Sequence, residues 1–279
     1  MNRILVTGAT GNVGRQVVAQ LVSTGTPVRA LVRDAQRPPE RAEAVEGDLA
    51  RPGTLERALA EIETVFLIWP FLTTEGAPAV LDVIAAHARR VVYLSSSGVN
   101  DEAERQTDPI NQLHADMERL IEQSGLRWTT LRSNTIASNA RGWAEQIRSV
   151  GVVRGPDIAA TAVIDPRDIA AVAARVLIDE GHERATYVLT GPQVVSRAQQ
   201  VHAIGEAIGR PLRFEEVPLE AARKQLLADG RPPALVEALL ASAETRPHSG
   251  LITSTVEEIT GAPARTFREW ATDHAGDFR

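Results

Sequence analysis

A glycine-rich turn set directly after the first apolar run constrains this chain more than any other feature: Ile4-Leu5-Val6 leads into Thr7-Gly8-Ala9-Thr10-Gly11-Asn12-Val13-Gly14. Glycine recurs at every third position. Apolar residues then follow at Val13, Val17, Val18 and Leu21, one stripe of a helix that Gly25 ends. A strand, a turn of small residues and a helix together let backbone N–H groups and a helix N-terminus approach a pyrophosphate. The spacing differs from the usual GxGxxG. Gly8, Thr10, Gly11, Asn12, Val13 and Gly14 are therefore the candidate dinucleotide contacts. The alternative is a βα turn that binds nothing, and the flanking strand and helix weigh against it.

The rest of the chain repeats that rhythm. Val28–Val32, Val65–Ile68, Val91–Leu94 and Trp128–Leu131 are short, nearly continuous apolar runs, as expected of strands buried on both faces. Helical periods separate them over Thr54–Glu61, Ala77–Ala88 and Asp108–Gln123, the last opened by an Asp cap and a Pro at the first position. The expected fold is α/β: a Rossmann-like, doubly wound parallel sheet over residues 1–190. A small, mainly helical C-terminal subdomain follows over 191–279, on the substrate side. Tyr187–Leu189 and Phe214–Val217 are further candidate strands, and Ser196 is the candidate cap of a helix running to Gly209.

In such a sheet the chemistry gathers where strands end. An acidic side chain after the second strand accepts from the ribose 2′-OH of NAD, whereas an Arg accommodates the 2′-phosphate of NADP. Here Val32 leads into Arg33-Asp34, which favours NADP(H) over NAD(H), with Asp34 the rival. Asp48 either accepts from the adenine amino group, with Leu49 packed on the ring, or caps the next helix. Ile68-Trp69-Pro70 lies where the nicotinamide ribose would sit, although Trp69 is equally a core residue. Ser95, Ser96 and Ser97 end the fifth strand, where a hydroxyl could bond the carboxamide or the substrate oxygen, or only the local backbone. Asn134 and Asn139 follow the sixth strand and either orient nicotinamide and substrate, respectively, or cap a helix. Asp165 and Asp168 are expected to anchor loop and helix.

Taken in order, the glycine turn, Gly47-Asp48-Leu49, Tyr93-Leu94-Ser95-Ser96-Ser97-Gly98-Val99 and Leu131-Arg132-Ser133-Asn134 resemble the NmrA-like branch of the atypical short-chain dehydrogenases/reductases. Ser124–Thr129, Ile164–Ala170 and Tyr187–Pro192 extend the resemblance over nearly the whole chain. It implies the fold expected above. It also implies two kinds of activity: NADPH-dependent reduction of quinones, azo dyes and triphenylmethane dyes, or NAD(P) sensing without turnover. A tailoring step on an aromatic natural product is a third possibility.

Mainstream short-chain dehydrogenases pass a proton from Tyr-x-x-x-Lys on the helix after the fifth strand. This chain has one lysine, Lys224, and two tyrosines, Tyr93 and Tyr187, none of them so placed. The corresponding helix carries His114 and Glu118, one turn apart, so His114 is the candidate proton donor and Glu118 its orienting partner. The bland alternative is an exposed His with a helix-stabilising neighbour. Without a Tyr/Lys pair, quinone-like or other conjugated aromatic acceptors are favoured over simple ketones, because their developing charge is delocalised.

Composition excludes several alternatives. A net charge of −6 disfavours nucleic acid, the absence of cysteine removes thiolate chemistry, and the six His show no ligand spacing for a metal. The few apolar residues before Thr7 are too short for a signal or spanning segment, so a cytoplasmic monomer or homodimer with a small-molecule substrate is expected. A protein partner is expected only of a sensor.

Overall fold

The computed structural model describes residues 3–34, 41–156, 158–245 and 249–279. In chain order the elements begin β1 (Arg3–Val6), α1 (Gly14–Ser23), β2 (Val28–Val32), β3 (Glu43–Glu46), α2 (Glu56–Leu59), β4 (Ile62–Leu67) and α3 (Ala77–His87). They continue with β5 (Arg90–Ser96), α4 (Pro109–Gln123), β6 (Arg127–Ser133), α5 (Ala144–Val150), β7 (Val152–Gly155), α6 (Pro166–Ile178) and β8 (Ala185–Leu189). Last come α7 (Arg197–Ile208), β9 (Arg213–Glu216), α8 (Leu219–Ala228), α9 (Pro233–Thr245), α10 (Thr255–Thr260) and α11 (Phe267–Asp273).

Seven strands form one parallel sheet in the order β3-β2-β1-β4-β5-β6-β8. The order reverses between β1 and β4, and the crevice at their carboxyl ends is where a doubly wound sheet binds ligands. Successive residues of a strand face opposite sides, so Ile4 and Val6 join one core with α1, α6 and Val256, while Leu5 joins another with α2, α3 and α4. Burial on both sides explains why these strands read as unbroken apolar runs rather than alternating ones.

The helix caps follow the sequence. The Asp108 carboxylate accepts from the backbone N–H groups of Ile110 and Asn111, both at 3.0 Å. Ser196 and Gln199 form a reciprocal capping box at the start of α7. Thr54–Glu61 departs from expectation: a 3-10 turn over Pro52–Thr54 precedes the short α2. Pro52 and Gly53 sit where a regular helix would need its first turn.

The candidate strand Phe214–Val217 forms as β9, but not in the main sheet. Instead β9 pairs in parallel with β7, a strand absent from the sequence expectation, in a separate two-stranded sheet. A smaller core combines Ala137, Ile147 and Val153 with Val201, Ile204, Phe267, Trp270 and Phe278. It thus draws on chain from both sides of residue 190. Among the described residues no helix is long and apolar enough to cross a membrane.

Candidate dinucleotide site

The glycine turn closes on itself at the end of β1. Gly8 takes φ +59°, and its carbonyl accepts from the Gly11 N–H at 2.9 Å. A Cβ on Gly14 would stand 2.1 Å from that same carbonyl oxygen, so the first residue of α1 has no room for a side chain. Thr7 locks the turn to β4: the Ile68 N–H donates to its hydroxyl at 2.7 Å, and the hydroxyl donates to the Ile68 carbonyl at 3.1 Å.

What remains is a row of donors. Among the described residues the backbone N–H groups of Asn12, Val13 and Gly14 have no intramolecular acceptor. The first turn of α1 carries no acidic residue to neutralise the helix dipole. Thr10, Gly11 and Asn12 are exposed, while Val13 anchors the turn in the core. A close-approach cradle with free N–H groups at a helix N-terminus fits a pyrophosphate.

The other strand ends surround this turn with mixed duties. Arg33 and Asp34 are exposed just beyond β2, and residues 35–40 lie outside the described residues. Asp48 accepts from the Ala50 N–H at 3.0 Å, closing a local turn ahead of the 3-10 segment rather than capping a helix, and Leu49 is buried in the core that α2 and α3 share. Ile68 packs on Gly8. Trp69 is buried, donates its indole N–H to the Thr73 carbonyl at 2.8 Å and meets Phe71 edge-on, while Pro70 is exposed.

At the end of β5, the Ser95 hydroxyl donates to Glu118, and the Ser96 hydroxyl donates to the Asn111 side chain at 2.7 Å. The Ser97 N–H bonds the Ser133 carbonyl, tying β5 to β6. Asn134 accepts from the Thr161 hydroxyl at 2.7 Å, and Asn139 is exposed on the turn beyond.

His114 and Glu118 share a face of α4 without bonding each other. The imidazole Nδ1 lies 2.8 Å from the hydroxyl of Tyr93, and burial pushes its pKa down to about 4, against a weaker pull from Asp108. Burial raises the Tyr93 phenol as well. Glu118 is instead committed to Arg132, whose Nη2 and Nε donate to it at 2.6 and 3.1 Å. The same guanidinium forks onto Asp101 in the loop after β5, and that pairing holds the Asp101 carboxyl below its usual range.

The orienting role expected of Glu118 is thereby corrected: a buried carboxylate takes the nearest cation, not a neutral imidazole one turn away. Arg132 has no role in the sequence reading, and its charge inside an apolar strand is the signal that marks one.

A family model described as NAD(P)H-binding matches residues 8–180. The (4-alkanoyl-5-oxo-2,5-dihydrofuran-3-yl)methyl phosphate reductase of Streptomyces griseus is 41% identical, over 99% of both chains. The NAD(P)H azoreductase of Xenophilus azovorans is 34% identical, again over 99% of both. Among solved structures, an NADPH-dependent quinone oxidoreductase of Escherichia coli bound to NADPH superposes with TM-score 0.81 at 24% identity, covering 97% of this chain and 99% of that one. The Citrobacter sp. triphenylmethane reductase complexed with NADP(H) gives 0.78 at 21%, covering 98% and 99%.

Proposed function

This chain belongs to the NAD(P)H-binding family, within the NmrA-like branch of the atypical short-chain dehydrogenases/reductases, and from that premise we propose that it is an NADPH-dependent reductase of quinone-like and other conjugated acceptors. The observation that carries the proposal is a glycine cradle with free N–H groups beside a helix that lacks the Tyr/Lys proton-donor pair. Among the described residues the helix end of the turn offers the free N–H groups of Asn12, Val13 and Gly14. α4 contains neither Tyr nor Lys, and its His114 is neutral at physiological pH.

When bound, the reduced nicotinamide supplies a hydride. The residues of the chain bind and orient. The turn takes the pyrophosphate, and Arg33 at the exit of β2 takes a 2′-phosphate in preference to a free ribose hydroxyl. The Ser95–Ser97 and Asn134 ends of β5 and β6 line the crevice. The Ser95 hydroxyl is oriented by donating to Glu118, which Arg132 holds in turn, so its oxygen lone pairs are left to accept.

Such a site suits acceptors whose charge spreads over a conjugated system, because water can protonate them afterwards. The name of the Streptomyces relative describes an unsaturated lactone bearing an acyl group, an electron-poor alkene of that kind. Azo and quinone acceptors share the property.

The test is NADPH oxidation with purified protein against a panel of quinones, azo dyes, acylated unsaturated lactones and simple ketones. Turnover is expected with the conjugated acceptors and not with the ketones. Tight NADPH binding with no turnover on any acceptor would overturn the reductase and favour a cofactor sensor. Equal use of ketones would show that the site possesses the proton donor it is argued to lack.

A further inference from the structure

We propose that Arg141 is a phosphate ligand of the bound dinucleotide, supplied to the glycine turn by the smaller core. The inference rests on the cofactor role of that turn and adds a residue that neither the fingerprint nor the strand ends supply.

Arg141 belongs to the 3-10 segment Ala137–Trp143 that follows β6. Its Nη1 donates to the side-chain oxygen of Asn12 at 2.8 Å, which places a full positive charge at the exposed lip of the turn. Asn12 also contributes a backbone N–H without an acceptor among the described residues.

The guanidinium is held from behind. Its Nε donates to Asp277 at 2.7 Å, and its carbon lies 5.9 Å from the centre of the buried Trp270 ring. Both anchors come from the C-terminal segment, and the Arg141 side chain keeps 24% of its surface exposed. A guanidinium has five N–H donors in one plane. These two bonds leave donors to spare for an oxygen anion arriving at the turn.

A cation already positioned and partly desolvated loses little entropy when it takes up a phosphate, and charge-assisted bonds of this type are the stronger ones. A ligand gripped by Asn12 on one core and Arg141 on the other would also join the two cores.

The experiment titrates the full-length protein and its variants with NADPH, NADH and ADP-ribose by calorimetry, with melting temperatures of the free proteins as a check on folding. R141Q is expected to weaken all three ligands by a common factor of roughly ten to a hundred, because all three share the pyrophosphate. R141K should recover part of the loss. R33Q should penalise NADPH alone, which separates the two arginines. D277N removes an anchor and keeps the cation, so it should cost far less affinity than R141Q.

Wild-type affinity in R141Q overturns the proposal. So does a loss in D277N as large as that in R141Q, since Arg141 would then be acting as a structural tie. Wild-type protein that binds none of the three ligands overturns the cofactor role of the turn itself.

Discussion

Single side chains here carry more than their sequence context suggests. His114 shows this in its proton affinity. An unfolded chain protonates this imidazole near 6.5, but the folded one does so only near 4, because burial penalises the charged form. Between those values the unfolded state binds more protons, so stability rises with pH. The contribution is complete above 6.5 and is lost as pH falls toward 4, on the order of 3 kcal/mol at most. Melting temperatures measured across that window should therefore fall more steeply for the wild type than for H114N. Parallel curves would mean that burial of His114 is not the cause. Arg132 makes the complementary point. A strand position that looks like an error in an apolar run is satisfied by Glu118 on one edge and Asp101 on the other, and Glu118, the buried partner, is the one whose loss would cost more.

Among the elements, those with strong local signals formed as the sequence indicates. Asp108-Pro109 starts α4, Ser196 with Gln199 starts α7, and the turn before α1 is built around Gly8 and Gly14. These two kinds of element end respond differently to substitution. Ser196→Ala removes a cap and should cost about 1 kcal/mol without touching NADPH affinity. Gly14→Ala drives a methyl against the Gly8 carbonyl, so the turn must open. It should cost about 2 kcal/mol or more and abolish NADPH binding. Chemical denaturation and calorimetry of both variants check this, and a Gly14→Ala protein that binds normally would show that the turn is not the cradle. β7 and β9 lie at the other extreme. Val152-Val153 is too short to display a period, so nothing local marks β7 as a strand, and although Phe214–Val217 reads as one, nothing local tells it to pair some sixty residues back. Thr54–Glu61 fails for a related reason: its apolar spacing is helical, but Pro52-Gly53 imposes a tighter turn first.

For the molecule as a whole, the two cores share chain and contacts. Ile136 pairs with Ile164 across a β-bridge, and Asn134 and Thr161 are bonded. α10, near the C-terminus, places Val256 in the main core, and Arg167 at the start of α6 pairs with Asp273 of α11. With so many crossings the chain should unfold in one transition. Fluorescence dominated by tryptophans such as Trp270 and far-ultraviolet dichroism should give coincident curves, both shifted upward by saturating NADPH, by about 2.7 kcal/mol at a hundredfold excess over Kd. Two separated transitions would mean that the smaller core is an independent unit. The sequence by itself determined the doubly wound sheet, the glycine cradle, the capped helices and the lack of a Tyr/Lys pair. Each is written in periods and spacings that operate within a single turn or strand. Only the tertiary structure decided that Glu118 belongs to Arg132, that Tyr93 meets His114, that Arg141 reaches Asn12 and that the smaller core recruits residues 137–163. Those contacts join side chains far apart along the chain, and long-range packing rather than local propensity sets which charges are left to find one another.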